Sequence, residues 1–134
     1  MSKQSKGLGL DLQGFHAVYP KNDCPHCTLD NIKPLQAILD EGVKITSACA
    51  GCAHQGEVWV CLKCAQVCCS RYVEGHMSQH NQENPEHPIA MSFADFSYWC
   101  YECDSYVVHP LLSHASRDHP EGFYAQKFGA SNDN

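Results

Sequence analysis

The sequence contains no run of lysines or arginines. Its nine basic side chains are scattered, and the basic stripe with which proteins track a phosphate backbone is missing. With histidine neutral the formal net charge is −6, so no nucleic-acid partner is expected. No stretch approaches the ~20 consecutive apolar residues that a membrane span needs, and no membrane association is expected either. The opening, MSKQSKGLGLDLQG, lacks the apolar centre of a secretion signal. A reducing compartment is expected, the cytoplasm with the nucleus as a second location. The patterns HExxH, GxSxG and the P-loop do not occur. A zinc-deaminase pattern is approached at HQGEVWVCLKC and fails: two residues separate His54 from Glu57 where the pattern has one, and no proline precedes Cys61.

Aliphatic residues are also scarcer than they look, because the 43% hydrophobic fraction includes ten cysteines. A single small domain with so thin a core is marginal without cross-links or metals. Ten cysteines and nine histidines supply the material for either. Their spacing separates the two. Cys49–Cys52, Cys61–Cys64 and Cys100–Cys103 form three CxxC pairs, with histidines clustered between and after them, as zinc sites require and a disulfide framework does not.

A structural zinc takes four ligands in a closed tetrahedron. The three pairs give six cysteines; Cys24, His26, Cys69, His76, His80 and His87 bring the set to twelve, enough for three zinc ions. Cys27 and Cys68 are left over. Spacing alone leaves two points open. Cys24-Pro-His-Cys27 can be read as CxxC or as Cys-x-His, and His76 and His80, four apart on one helix face, can share a metal or serve different ones. His16, His54, His109, His114 and His119 are read as ordinary surface or capping residues.

The periodicity predicts a short helix in NIKPLQAILDEGVK, with Pro34 in its first turn and Gly42 after its end. Strands are predicted in GEVWVCL, in PIAMSF at residues 88–93 and in SYVVH at residues 105–109, and a second short helix in YVEGHMSQH. The fold class is a small α+β zinc-stabilised domain, a twisted antiparallel sheet with short helices and three structural zinc sites. Residues 1–15 and 129–134 are expected as flexible ends of a domain spanning 16–128.

The run WVCLKCAQVCCSRYVEGHMSQH followed by HP, then WCYEC and a late AQKFG, resembles the UBP-type zinc finger, a ubiquitin-binding module, and within it the copy carried by a histone deacetylase. The resemblance covers residues 24 to 128. It implies that Cys24, His26, Cys100 and Cys103 share one zinc, Cys49, Cys52, Cys69 and His76 a second, and Cys61, Cys64, His80 and His87 a third. All twelve ligands are then used, no position is left open for catalysis, and a binding module is expected, not an enzyme. Three zincs also argue against a RING-like ligase module, which binds two.

The resemblance further implies that the module, as a monomer, takes the free C-terminal tail of ubiquitin, Leu-Arg-Gly-Gly. Arg71 matches the arginine that holds the tail. Trp59, Tyr72, Trp99, Tyr101 and Tyr106 match the aromatic positions of the slot, and Asp95 an acidic position beside it. Two side-chain-free glycines suit a narrow aromatic slot, and a terminal carboxylate suits a charged donor. The chain departs from the family at Ser70, where glycine is usual; serine there costs backbone energy if the position needs a positive φ, or narrows the pocket if the tail passes closely, and so bears on affinity and not on the fold. Residues 28–47 also form a longer connection than usual. The alternative reading is a finger that has kept the fold, lost ubiquitin and serves as a protein-interaction or structural module.

Overall fold

A computed structural model describes residues 19–129; the expected flexible segment 1–15, all of the expected flexible segment 129–134 except Gly129, and His16 lie outside the described residues. Five strands, β1 (Val58–Cys61), β2 (Val67–Cys69), β3 (Ile89–Ser92), β4 (Tyr98–Cys100) and β5 (Ser105–Tyr106), form one sheet in the order β2-β1-β3-β4-β5. Every neighbouring pair is antiparallel. At the β5 edge Lys21 forms a parallel bridge with Val107, its amide donating to the Tyr106 carbonyl at 2.8 Å. Three short helices accompany the sheet: α1 (Leu35–Asp40), α2 (His76–Glu83) and α3 (Phe123–Phe128). Among the described residues no helix is long and apolar enough to cross a membrane.

The two faces of the sheet have different chemistry because successive side chains in a strand alternate sides. Val58 and Val60 of β1 and Met91 of β3 are wholly buried. They belong to a core that also takes Ile38 from α1, Met77 from α2 and Phe123 from α3. Trp59, between the two valines, falls on the opposite face with its register partner Ser92, and Trp99 pairs across to Tyr106. That second face lines a cleft.

The predicted helix in residues 31–44 forms as α1, entered from extended Pro34 and followed by Gly42 at φ 90°. The predicted second helix starts later than expected. Gly75, at φ 71°, is its N-cap, and α2 runs from His76, because a residue held in the left-handed region cannot sit inside a right-handed helix. The run 105–109 is a strand only at Ser105–Tyr106. β2, β4 and α3 were not foreseen; β2 is the triplet Val-Cys-Cys, buried throughout, with no alternation to read.

The long connection of residues 28–47 is tied to the core. Lys33 N donates to Leu62 O at 2.7 Å, and His114 Nε2 donates to Lys33 O at 2.6 Å. His114 therefore departs from the surface or capping role expected of it. It is fully buried, its backbone amide donates to Tyr98 Oη, and burial holds its pKa below the ordinary histidine value against the pull of the Lys33 carbonyl. His109 and His119 do cap local turns, accepting from Leu111 N and Glu121 N.

Each CxxC pair is followed by a residue in the left-handed region: Ala53 at φ 65°, Ala65 at φ 69° and Asp104 at φ 54°. In the first two turns that residue's amide donates back to the carbonyl of the leading cysteine, Ala53 N to Cys49 O at 2.8 Å and Ala65 N to Cys61 O at 2.7 Å. Such turns curl the chain so that both sulfurs face one point. A left-handed conformation costs an L-residue about 1–2 kcal/mol, and Ala53 is exposed, so glycine fits there freely. We expect Ala53→Gly to raise stability by about 1 kcal/mol and Ala53→Val to lower it, in thermal unfolding of the zinc-loaded protein.

Candidate zinc centres and binding cleft

Three groups of four ligand atoms converge, each within 4.8 Å of one another: Cys24, His26, Cys100 and Cys103; Cys49, Cys52, Cys69 and His76; Cys61, Cys64, His80 and His87. These are the groupings that the family resemblance implies. Each takes one cysteine from the end of a strand, Cys100 from β4, Cys69 from β2 and Cys61 from β1, and so joins the sheet to a loop or to α2.

The distances inside these groups test whether zinc fits. A tetrahedron with Zn–S of about 2.3 Å and Zn–N of about 2.05 Å has edges of about 3.8 Å between sulfurs, about 3.6 Å between sulfur and nitrogen and about 3.3 Å between nitrogens. Cys52 and Cys69 sulfurs stand 3.8 Å apart, and those of Cys24 and Cys103 3.7 Å. Sulfur–nitrogen separations are 3.4 Å from Cys49 to His76 and 3.5 Å from Cys64 to His80. His80 Nε2 and His87 Nδ1 are 3.3 Å apart. Disulfides would bring sulfurs to about 2.05 Å. The chemistry and the edge lengths fit three zinc ions, two in Cys3His shells and one in a Cys2His2 shell.

His26, His76 and His87 present Nδ1 to their groups, and His80 presents Nε2. Although His76 and His80 share a face of α2, they serve different groups. Backbone amides support the sulfurs: Gly51 N donates to Cys49 Sγ, Glu74 N to Cys69 Sγ and Cys103 N to Cys100 Sγ, which stabilises thiolate charge. Gly51 is constrained directly, since a Cβ there would lie 3.0 Å from the His76 ring.

Cys27 and Cys68 stand outside all three groups. Residue 28 is not among the non-glycine positions of positive φ, so Cys24–Cys27 lacks the turn that follows the three CxxC pairs. Both leftover thiols are buried, and burial pushes Cys27 up to about 12 and Cys68 up to about 11.

On the open face of the sheet a cleft of about 230 Å³ gathers all seven residues read as the slot: Trp59, Arg71, Tyr72, Asp95, Trp99, Tyr101 and Tyr106. The aromatic walls meet edge to face. Trp99 and Tyr106 ring centroids are 4.9 Å apart at 86°, and Trp99 and Tyr101 6.5 Å apart at 71°. The Arg71 guanidinium lies 5.9 Å from the Trp99 ring and donates to Tyr72 Oη at 3.1 Å. Tyr72, 77% exposed, stands at the rim. Burial raises the Tyr101 hydroxyl well above the ordinary tyrosine value, keeping that wall neutral. For Asp95, burial acts upward but is outweighed by donors from Ser97, Ser92 and the Lys127 charge, and its pKa falls below the usual value.

Glu57, Ser78, Ser92, Ala94, Ser97 and Asp104 also line the cleft and were missed. Asp104 was findable from its place directly after Cys103, whereas Ser92 enters through its pairing with Trp59, a register that only the fold supplies. Ser70 lines the cleft, and its backbone conformation answers one of the two costs expected of it. It is not at a positive φ, and its hydroxyl accepts from Tyr72 N at 3.1 Å, bracing the turn that carries Arg71 and Tyr72. The expected backbone cost of serine does not arise.

Closed Cys/His shells knitting a small sheet define a structural zinc-binding domain. Residues 49–112 match the family described as Zn-finger in ubiquitin-hydrolases and other protein, and the chain belongs to that family. It is 42% identical over 103 residues to histone deacetylase 6 of Caenorhabditis elegans, covering 77% of this chain and 10% of that protein. It is 49% identical over 77 residues to NAD-dependent deacetylase sir2A of Dictyostelium discoideum, covering 58% and 15%, and 32% identical over 103 residues to ubiquitin carboxyl-terminal hydrolase 3 of Mus musculus, covering 65% and 20%. The chain thus spans a tenth to a fifth of the length of these relatives.

Native mass spectrometry should find three zinc ions per chain, and strong chelation should unfold the domain, because each structural zinc contributes roughly 10 kcal/mol or more of folding free energy. Cys27→Ser and Cys68→Ser should keep all three. Retention of three zincs by His26→Ala and loss of one by Cys27→Ser would show that Cys27 is the ligand instead. Gly51→Ala should weaken only the group that contains His76.

Proposed function

We propose that this domain captures the free C-terminal Gly-Gly tail of ubiquitin in the cleft, without catalysing a reaction. The observation that carries this reading is the arrangement of one guanidinium, Arg71, beside a slot walled by Trp59, Trp99, Tyr101 and Tyr106. Glycines have no side chain and can pass between flat aromatic walls, while the terminal carboxylate takes charge-assisted hydrogen bonds from arginine. Aromatic and arginine side chains in a desolvated pocket are the residue types that dominate binding energy.

The family's description and the name of one relative both refer to ubiquitin hydrolases, which supports ubiquitin as the partner. The twelve ligand candidates fill three four-membered groups, which supports a structural role for every zinc: none keeps the open position that a catalytic site needs. Thiolate-rich zinc sites suit a reducing compartment, cytoplasm or nucleus. The module acts as a single copy.

Isothermal calorimetry with intact ubiquitin, with ubiquitin lacking its last two glycines and with a tail peptide tests the reading. Intact ubiquitin and the peptide should bind and the truncated form should not. Loss of one partner of a desolvated charge pair costs about 2–5 kcal/mol, so Arg71→Ala should weaken binding well over tenfold with the zinc count unchanged. Equal binding of intact and truncated ubiquitin, or none by either, would replace tail capture with a protein-interaction module that has lost it.

A further inference from the structure

We infer that Lys127, on α3 and beyond the matched family stretch, is a positioning residue that sets the conformation of the cleft's β3–β4 turn. Its consequence for binding rests on the tail-capture reading; its hold on the turn rests on geometry alone.

The turn runs from Phe93 to Ser97, and three of its residues, Ala94, Asp95 and Ser97, line the cleft. Phe96 sits at φ 62°, a conformation that is uncommon and costly for a bulky side chain. Inside the turn, Phe96 N donates to Ser92 O, Ala94 N to Ser92 Oγ, and Ser97 N and Oγ both donate to Asp95 Oδ1. The carbonyls of Phe93 and Ala94 take their partner from outside: Lys127 Nζ donates to both, at 2.5 and 2.6 Å. The same ammonium lies 5.3 Å from the Phe96 ring.

A peptide unit is planar and turns as one body. By fixing two successive carbonyls on the helix side, Lys127 also fixes the amides of Ala94 and Asp95, and with them the direction in which Asp95 enters the cleft. The helix that delivers it is anchored independently. Phe123 packs on Phe93 at 4.9 Å, Tyr124 and Phe128 lie 6.3 Å from Phe96, and Gln126 Oε1 accepts from Ile45 N at 2.7 Å. The apolar contacts place the helix, while the ammonium supplies what they cannot, a donor for two carbonyls beside a strained residue. Methionine at 127 would keep the apolar stem and remove the donor; arginine would restore it.

The test compares the parent with Lys127→Met and Lys127→Arg in the zinc-loaded protein. A fluorescent peptide ending in Leu-Arg-Gly-Gly should bind Lys127→Met about fivefold to tenfold more weakly than the parent and Lys127→Arg within about threefold of it, with three zincs retained by both. In amide correlation spectra, Asp95, Phe96 and Ser97 should shift in Lys127→Met and return toward parental positions in Lys127→Arg, a rescue that loss of general packing would not give. Parental spectra at the turn and parental affinity in Lys127→Met would overturn the inference. If the parent itself fails to bind the peptide, tail capture falls, and the spectra alone then decide the role of Lys127.

Discussion

The geometry of this domain depends on the requirement that four soft ligands meet at one point. A CxxC pair can aim two sulfurs together only if the chain reverses tightly, and the residues that absorb the reversal, Ala53, Ala65 and Asp104, are held at positive φ, where metal binding must offset local strain. The other two ligands come from far along the chain: Cys24 and Cys103, 79 positions apart, have sulfurs 3.7 Å apart. Each shell therefore closes a loop whose entropy a thin apolar core could not offset by itself. Because one cysteine of each group terminates a strand, the metals would fix where β1, β2 and β4 end and hence the register of what lies between.

Register is where folding and the cleft become the same problem. In β1 the order Val58-Trp59-Val60 puts two aliphatic residues into the core and one tryptophan onto the open face; in β4 Trp99 takes that face while Cys100 is buried. A slip of one residue would exchange the faces, sending indoles into the core and valines into the cleft. Metal shells at Cys61 and Cys100 forbid that slip. The aromatic slot is thus the reverse side of the zinc-ordered sheet: its half-buried walls Trp59, Trp99, Tyr101 and Tyr106 are held by the strands and turns that carry them, while exposed Arg71 and Tyr72 keep side-chain freedom that, under the proposed reading, binding would cost.

The three CxxC pairs were legible in the sequence because paired cysteines at fixed spacing have few other reasons to cluster, whereas the choice of His26 over Cys27 and the positions lining the cleft came with the family resemblance. The division of His76 and His80 between two groups was not legible from spacing, since one turn of helix permits either outcome; it came with the family resemblance. β2 was invisible because Val-Cys-Cys has no polar alternation, both faces being covered. His114 was missed for a related reason: histidine carries no burial preference that a sequence can show, and only the fold reveals that it bridges Lys33 and Tyr98. The helix α3 carries Phe123, Lys127 and Phe128 within six residues, a set with no clear helical stripe, and its task is set by a turn thirty-odd positions earlier.

The charge distribution bears on what the cleft can select. The chain carries a formal charge of −6, and the cleft itself places Glu57, Asp95 and Asp104 around a single guanidinium. Two Cys3His shells would each add about −1 once loaded. A free anion approaching this surface meets a repulsive field that fades only beyond a Debye length of about 8 Å, so Arg71 is not a general anion trap. Under the proposed reading a carboxylate reaches it only when attached to a chain that gains from the aromatic walls and has no side chains to obstruct the slot. The surrounding carboxylates then act against bare anions while leaving room for a basic residue farther along the same tail. Selectivity arises from requiring both conditions at once, a small unbranched terminus and a compensating contact, and neither aromatic walls nor arginine would supply it alone.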